Sequence, residues 1–352
     1  MAEILRFVDP ASSAGGDGTV QTLTGATRAY VSLSAWEAAT QQDLTAGGGN
    51  TARVVCSSNL DAGSGAADTT LVLVDGWTTS ATCYITIEAN SSHGGKWNAN
   101  IYRLECTAGN IIRTPESFVN IYGIQIQYTT SSDTYAQAIY LNVADSAGVI
   151  KIGRCIIKGV LTGTAANIRG VYTYHATATF TFYVYNCMFY DLVNGTNVVR
   201  GVSQDTAPVG YVYNNTFQNC RVGLYTGTNK LKAVNNLFKG MTGSPCSGTF
   251  LNGTDYNATD SASLGYTVTG GGNTHDRLSQ TFTFVDETND DFHLASTDAG
   301  ARDYGVSDPG SGLFSDDIDG VTRTGTWDIG ADEYVAAGGG TILPMMMHHH
   351  GG

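Results

Sequence analysis

Basic residues are scarce in this sequence: 18 Lys and Arg stand against 31 Asp and Glu, a formal charge of −13 over 352 residues. No basic cluster overrides that field, so a polyanion is repelled and nucleic-acid binding is not expected. The opening residues, Met1 to Asp9, lack a basic segment followed by a long apolar run, so no secretory signal is expected. No later stretch is apolar enough to span a bilayer, and no membrane insertion is expected. The seven cysteines (Cys56, Cys83, Cys106, Cys155, Cys187, Cys220, Cys246) form no CxxC pair and have no histidine at metal-ligand spacing. Buried, reduced thiols are expected rather than a disulfide framework or a metal site. Proline is also scarce, at 6 residues, and stretches rich in Ala, Leu, Glu and Lys are few.

What remains is a vocabulary of strands and tight turns: 44 Gly, 19 Tyr and abundant Thr, Asn, Val and Ile. Between about Phe118 and Met241 two short phrases recur in step. One runs Arg154-Cys-Ile-Ile, Asn186-Cys-Met-Phe, Asn214-Asn-Thr-Phe, Asn235-Asn-Leu-Phe. The other runs Ala138-Ile-Tyr, Gly170-Val-Tyr, Gly201-Val-Ser, Gly223-Leu-Tyr, advancing by about 32, 31 and 22 residues, with the short last step shared by both. Strand alternation then puts Cys155, Cys187, Asn215 and Asn236 on one side with Ile157, Phe189, Phe217 and Phe238, read as inward. Stacked asparagine amides can bond one another and the turning backbone, and Asn tolerates the left-handed conformation of a sharp corner.

These phrases, Val184-Tyr-Asn-Cys-Met-Phe and Val212-Tyr-Asn-Asn-Thr-Phe above all, resemble the repeats of pectate-lyase-like right-handed parallel β-helix proteins. The resemblance implies an all-β solenoid with an N-terminal capping helix and a C-terminal closing module. It divides the chain into a cap over 1–50, coils over 51–245, last coils with the closing module over 246–335, and a flexible tail over 336–352. Tyr30 to Thr40 looks like the amphipathic cap, with Ser34 as the expected N-cap. Asp291-Phe-His-Leu, Asp317-Ile-Asp-Gly and Asp328-Ile-Gly-Ala-Asp-Glu-Tyr resemble the closing module. In the tail a Gly-rich linker precedes Ile342, Leu343, Met345, Met346 and Met347, which read either as a docking strip for another subunit or as an unstructured end.

Enzymes of this fold, as the resemblance implies, cut acidic polysaccharides with calcium-binding carboxylates and a basic residue, or with two or three Asp on one face. The coils offer Lys158, Arg169, Asp191, Arg200 and Asp205, but the equivalent positions one coil away are Tyr190, Gly159, Gln218 and Thr226, so no carboxylate cluster is expected. Asp290 and Asp291 are read as a structural phrase, and Asp316, Asp317 and Asp319 as a turn with self-capping side chains rather than a calcium loop. His175 and His275 are read as surface or turn residues. No catalytic residue, metal or cofactor is assigned. The aromatic lead is an outward column of Tyr140, Tyr172 and Tyr225, interrupted by Ser203, suited to glycan, to a neighbouring subunit, or simply to covering the sheet.

The Gly-rich start, the Trp36-Glu-Ala-Ala cap and the short apolar tail resemble β-helix proteins encoded by environmental bacteriophages, and the resemblance implies a virion structural protein of a bacterial virus: a capsid-decorating protein, head fibre or tail-associated spike. It would be made in the host cytoplasm without a signal peptide and displayed on the virion surface. Other capsid or tail proteins, reached through the tail peptide, and a cell-surface glycan are the expected partners, and a trimer is one expected assembly. The alternatives are a polysaccharide lyase or glycoside hydrolase acting as a depolymerase, and a non-catalytic carbohydrate-binding solenoid.

Overall fold

The structure, a computed structural model, describes residues 2–336 apart from 62–64, 133, 134, 146, 165, 166, 176, 178, 196 and 197. The tail residues Ile342, Leu343, Met345, Met346 and Met347 lie outside the described residues. Three long parallel sheets form the walls of a solenoid, and the chain visits them in rotation. One full rung is Thr181–Tyr185 on the first sheet, Met188–Tyr190 on the second and Val199–Gln204 on the third. Each strand pairs in parallel with its counterparts one rung away, so Tyr183 lies opposite Tyr211 and Phe189 opposite Phe217. This keeps identical columns of side chains facing the axis at every turn.

The inward columns are those the repeats predict. Ile157, Phe189, Phe217 and Phe238 are fully buried, and the rings of Phe189, Phe217 and Phe238 stack at 4.8 and 5.0 Å. Opposite them on the third sheet stands a column of Gly170, Gly201 and Gly223. A Cβ on Gly201 would lie 2.5 Å from Phe217, so these glycines make room for the rings. Asn215, Asn236 and Asn257 form a second inner ladder. The amide oxygen of Asn236 accepts from Asn215 Nδ2 at 3.0 Å, and that of Asn257 from Asn236 Nδ2 at 3.0 Å. The preceding corner residues Arg154, Asn186, Asn214 and Asn235 are left-handed, with φ between 49° and 59°. All seven cysteines are buried and unpaired, as expected.

Both ends differ in detail from the sequence reading. The capping helix is Leu33–Thr40, but its N-cap is Ser32, whose side chain accepts from Ala35 N at 3.0 Å; Ser34 lies inside the first turn. Residues Ala2–Val8 form the first strand of the first sheet, paired with Asn50–Cys56. The closing residues lie along a flank: Phe282, Phe284, Phe292, Leu294, Ile318 and Ile329 pack on outward Ile156, Met188, Tyr190 and Leu237 of the second sheet. The corner asparagines grip this clamp. Asn214 Nδ2 donates to Asp328 O at 3.0 Å, Asn235 Nδ2 to Val306 O at 2.8 Å, and Asn186 Oδ1 accepts from Arg323 Nη2 at 3.0 Å. Each Asn-Asn pair therefore divides its work, the first residue holding the clamp and the second the inner ladder.

Candidate functional site

Outward positions of the third sheet carry the expected tyrosine column. Register places Arg113, Tyr140, Tyr172, Ser203 and Tyr225 opposite one another on successive rungs. Tyr140 and Tyr172 stack at 5.3 Å, and Tyr174 stacks on Tyr172 at 6.2 Å. Arginines cover the remaining ring faces: Arg169 lies 4.2 Å from the Tyr172 centroid and Arg200 3.3 Å from that of Tyr225. Asp205 ties them together, 3.6 Å from Arg169 and 3.2 Å from Arg200, and also accepts from Ser203 Oγ at 3.0 Å. Burial, and then the Asp205 charge, hold the Tyr172 phenol well above its usual range. Ser203, at the gap in the ladder, is a fully buried polar node of this network. The column is thus braced from within, and it offers a partner ring edges and hydroxyls rather than ring faces.

A second aromatic surface, missed in the sequence, lies on the first sheet. Lys151, Tyr183, Tyr211 and Lys232 occupy one outward column on four successive rungs. Tyr183 and Tyr211 stack at 5.2 Å with planes 16° apart. The neighbouring column, which includes Tyr185, Tyr213 and Val234, is buried under Phe314 and Trp327 of the clamp, Tyr185 stacking on Phe314 at 4.9 Å. Cover stops one column short, and Tyr183 and Tyr211 remain half-buried.

The residues singled out as catalytic candidates are drawn into structural contacts. Lys158 Nζ sits 4.1 Å from the Trp97 ring centroid, and burial lowers its pKa. Asp191 accepts from Asn219 Nδ2 at 2.6 Å. Asp290 is left-handed at the end of a short 3₁₀ turn, and Asp291 pairs with His293 at 2.5 Å and Lys96 at 3.6 Å. Asp317 caps its own turn as expected, accepting from Asp319 N at 2.9 Å and Val321 N at 2.8 Å.

His293 is the centre of the clamp. Its Nδ1 faces Asp291 and its Nε2 faces Asp319 Oδ2 at 2.9 Å, with buried Asp332 beside it. Burial alone would lower the imidazole, but the Asp319 hydrogen bond and the charges of Asp332 and Asp319 raise it to about 10. His293, Asp319 and Asp332 bring three ligand atoms within 4.8 Å of one another, a donor set that could hold a metal ion. With both ring nitrogens already facing carboxylates, the imidazolium itself is the cation that this geometry accommodates. Burial also raises Asp332 and Glu333 to about 7 and Asp317 to about 6, against the opposing charges of His293 and Arg323.

His275 has a partner that spacing did not reveal: its Nδ1 lies 2.7 Å from Asp255 Oδ2, and its ring stacks on Tyr256 at 4.4 Å. His275 and Tyr256 border a shallow cavity of about 320 Å³ with Asp276, Arg277 and Tyr304.

Three rotating parallel sheets around stacked inner columns define a parallel β-solenoid. No family model matches the chain, and no curated protein matches it.

Proposed function

We propose that the protein is a structural and adhesive component of a bacterial-virus particle, a right-handed parallel β-helix whose outer faces hold partners rather than transform them. The right hand follows from the strong steric preference of parallel crossover connections. The observation that carries the reading is the braced column of Tyr140, Tyr172 and Tyr225, whose polar tips and ring faces are fixed in register over several rungs by Arg169, Arg200 and Asp205. A face that is already ordered loses little freedom when a neighbouring subunit docks on it. In this reading the peptide from Ile342 to Met347 anchors the protein to the capsid or tail.

Two preparations test it. Protein ending at Tyr334 is expected to fold and to be missing from purified particles; normal incorporation would refute the anchoring role. Tyr140→Ala/Tyr172→Ala/Tyr225→Ala is expected to lower the oligomer mass in light scattering, and an unchanged mass would refute the assembly role of the column. The His275–Asp255 pair favours one second reading, a glycan hydrolase with His275 as general base. Release of new reducing ends from acidic glycans by the wild type, and not by His275→Ala, would establish it.

A further inference from the structure

The first-sheet column gathers ammonium and phenolic groups whose polar ends have no ion pair or hydrogen bond among the described residues, although the two rings stack on each other. Lys151 and Lys232 bracket the stacked pair Tyr183 and Tyr211, and exposed Lys230 stands at the start of the last strand's rung. Among the described residues none of these three lysines is in an ion pair, whereas Lys96, Lys239, Arg53, Arg103 and Arg154 all meet carboxylates. The Tyr183 and Tyr211 hydroxyls likewise make no hydrogen bond within the described residues. Burial lowers the pKa of Lys151, a cost that a bound anion would offset. In a chain of charge −13, ammonium groups left unanswered beside half-exposed phenols have a ligand chemistry written into them.

We propose that Lys151, Tyr183, Tyr211, Lys230 and Lys232 form a binding shelf for an anionic polysaccharide lying along the solenoid axis. The proposal rests on the adhesive reading above and names its ligand class. Rungs about 4.8 Å apart spread the donors over roughly 14 Å, so a linear polymer meets an ammonium at each end and phenolic hydroxyls between. The two rings stack on each other, which leaves edges and hydroxyls outward. That disfavours neutral sugars held by ring stacking, and it disfavours single-stranded nucleic acid, which uses free aromatic faces. Three cations under a field of −13 are also a weak match for the dense charge of a nucleic acid.

The test is affinity electrophoresis of the full-length protein in native gels containing alginate, dextran sulfate or neutral dextran, with a single-stranded DNA gel alongside. Retardation is expected with alginate or dextran sulfate and not with dextran, the first two separating a carboxylate from a sulfate preference. Lys151→Ala/Lys232→Ala is expected to lower that affinity about tenfold, with an unchanged urea midpoint. Tyr183→Phe/Tyr211→Phe, which keeps the stack and removes the hydroxyls, is expected to lower it about threefold. If acidic glycan holds the wild type and both variants equally, the shelf is refuted and the adhesive reading stands. If no glycan retards the wild type, the shelf is refuted, and the structural reading is decided separately by particle incorporation and oligomer mass. If DNA is held more tightly than glycan through the same residues, the ligand class is wrong.

Discussion

Two tyrosine pairs stack on the outside of this solenoid at almost the same spacing, 5.3 Å for Tyr140 with Tyr172 and 5.2 Å for Tyr183 with Tyr211, yet their surroundings differ. On the third sheet Asp205 answers two arginines, and those arginines cover tyrosine faces. On the first sheet the flanking lysines have no counter-charge among the described residues, and the clamp stops one column away. A satisfied polar network rigidifies and orders a surface, while unsatisfied donors at a half-exposed surface are available to a ligand. In the proposed reading the same residue serves a pre-ordered docking face on the third sheet and an open, unpaired shelf on the first.

Stability measurements sharpen this contrast, with the shared core setting the scale. Phe217→Ala, which empties the middle of the stacked phenylalanine column, is expected to cost about 3–5 kcal/mol in urea unfolding. Asp205→Ala leaves two largely buried guanidinium groups without a carboxylate and is expected to cost about 2–3 kcal/mol. Gly201→Ala pushes a methyl group against Phe217 and is expected to cost about 1–3 kcal/mol. Tyr183→Ala/Tyr211→Ala is expected to cost only about 1 kcal/mol, the value of a cross-strand pair on an open face. Equal losses for Asp205→Ala and the Tyr183/Tyr211 pair would erase the distinction between the faces.

The clamp adds a pH dependence of smaller size. Asp332, Glu333 and Asp317 are raised in the folded state, so their contribution is most favourable below the ordinary carboxylate range and is lost as pH rises through about 6 to 7. His293 is raised to about 10, so its contribution is complete below about 6.5 and is lost as pH rises through 10. Both effects have one sign. Amide exchange in residues 284–334 is expected to be faster at pH 9 than at pH 6, after correction for intrinsic rates, while the inner strands change little. Slower exchange at the higher pH would contradict these assignments.

The inner columns were legible because a parallel solenoid repeats the same environment at the same phase. The recurring Asn-Phe phrase gives the phenylalanine stack, the amide ladder and the left-handed corner together. The third-sheet tyrosines were legible for the same reason. The shelf lies in the same phrase, Lys151, Tyr183, Tyr211 and Lys232 each standing three residues before the corner residues Arg154, Asn186, Asn214 and Asn235, but no single residue type recurs along it to mark a column, as Phe marks the inner one. The second role of each corner asparagine was hidden too, since Arg323, Asp328 and Val306 reach it from far along the chain. His275 looked isolated because Asp255 lies about one rung back in sequence.

The most direct test compares Tyr140→Ala/Tyr172→Ala with Tyr183→Ala/Tyr211→Ala for retardation in acidic-glycan gels. The division of labour predicts that the first pair binds as the wild type does and that the second loses most of its retardation. Loss confined to the first pair would contradict it.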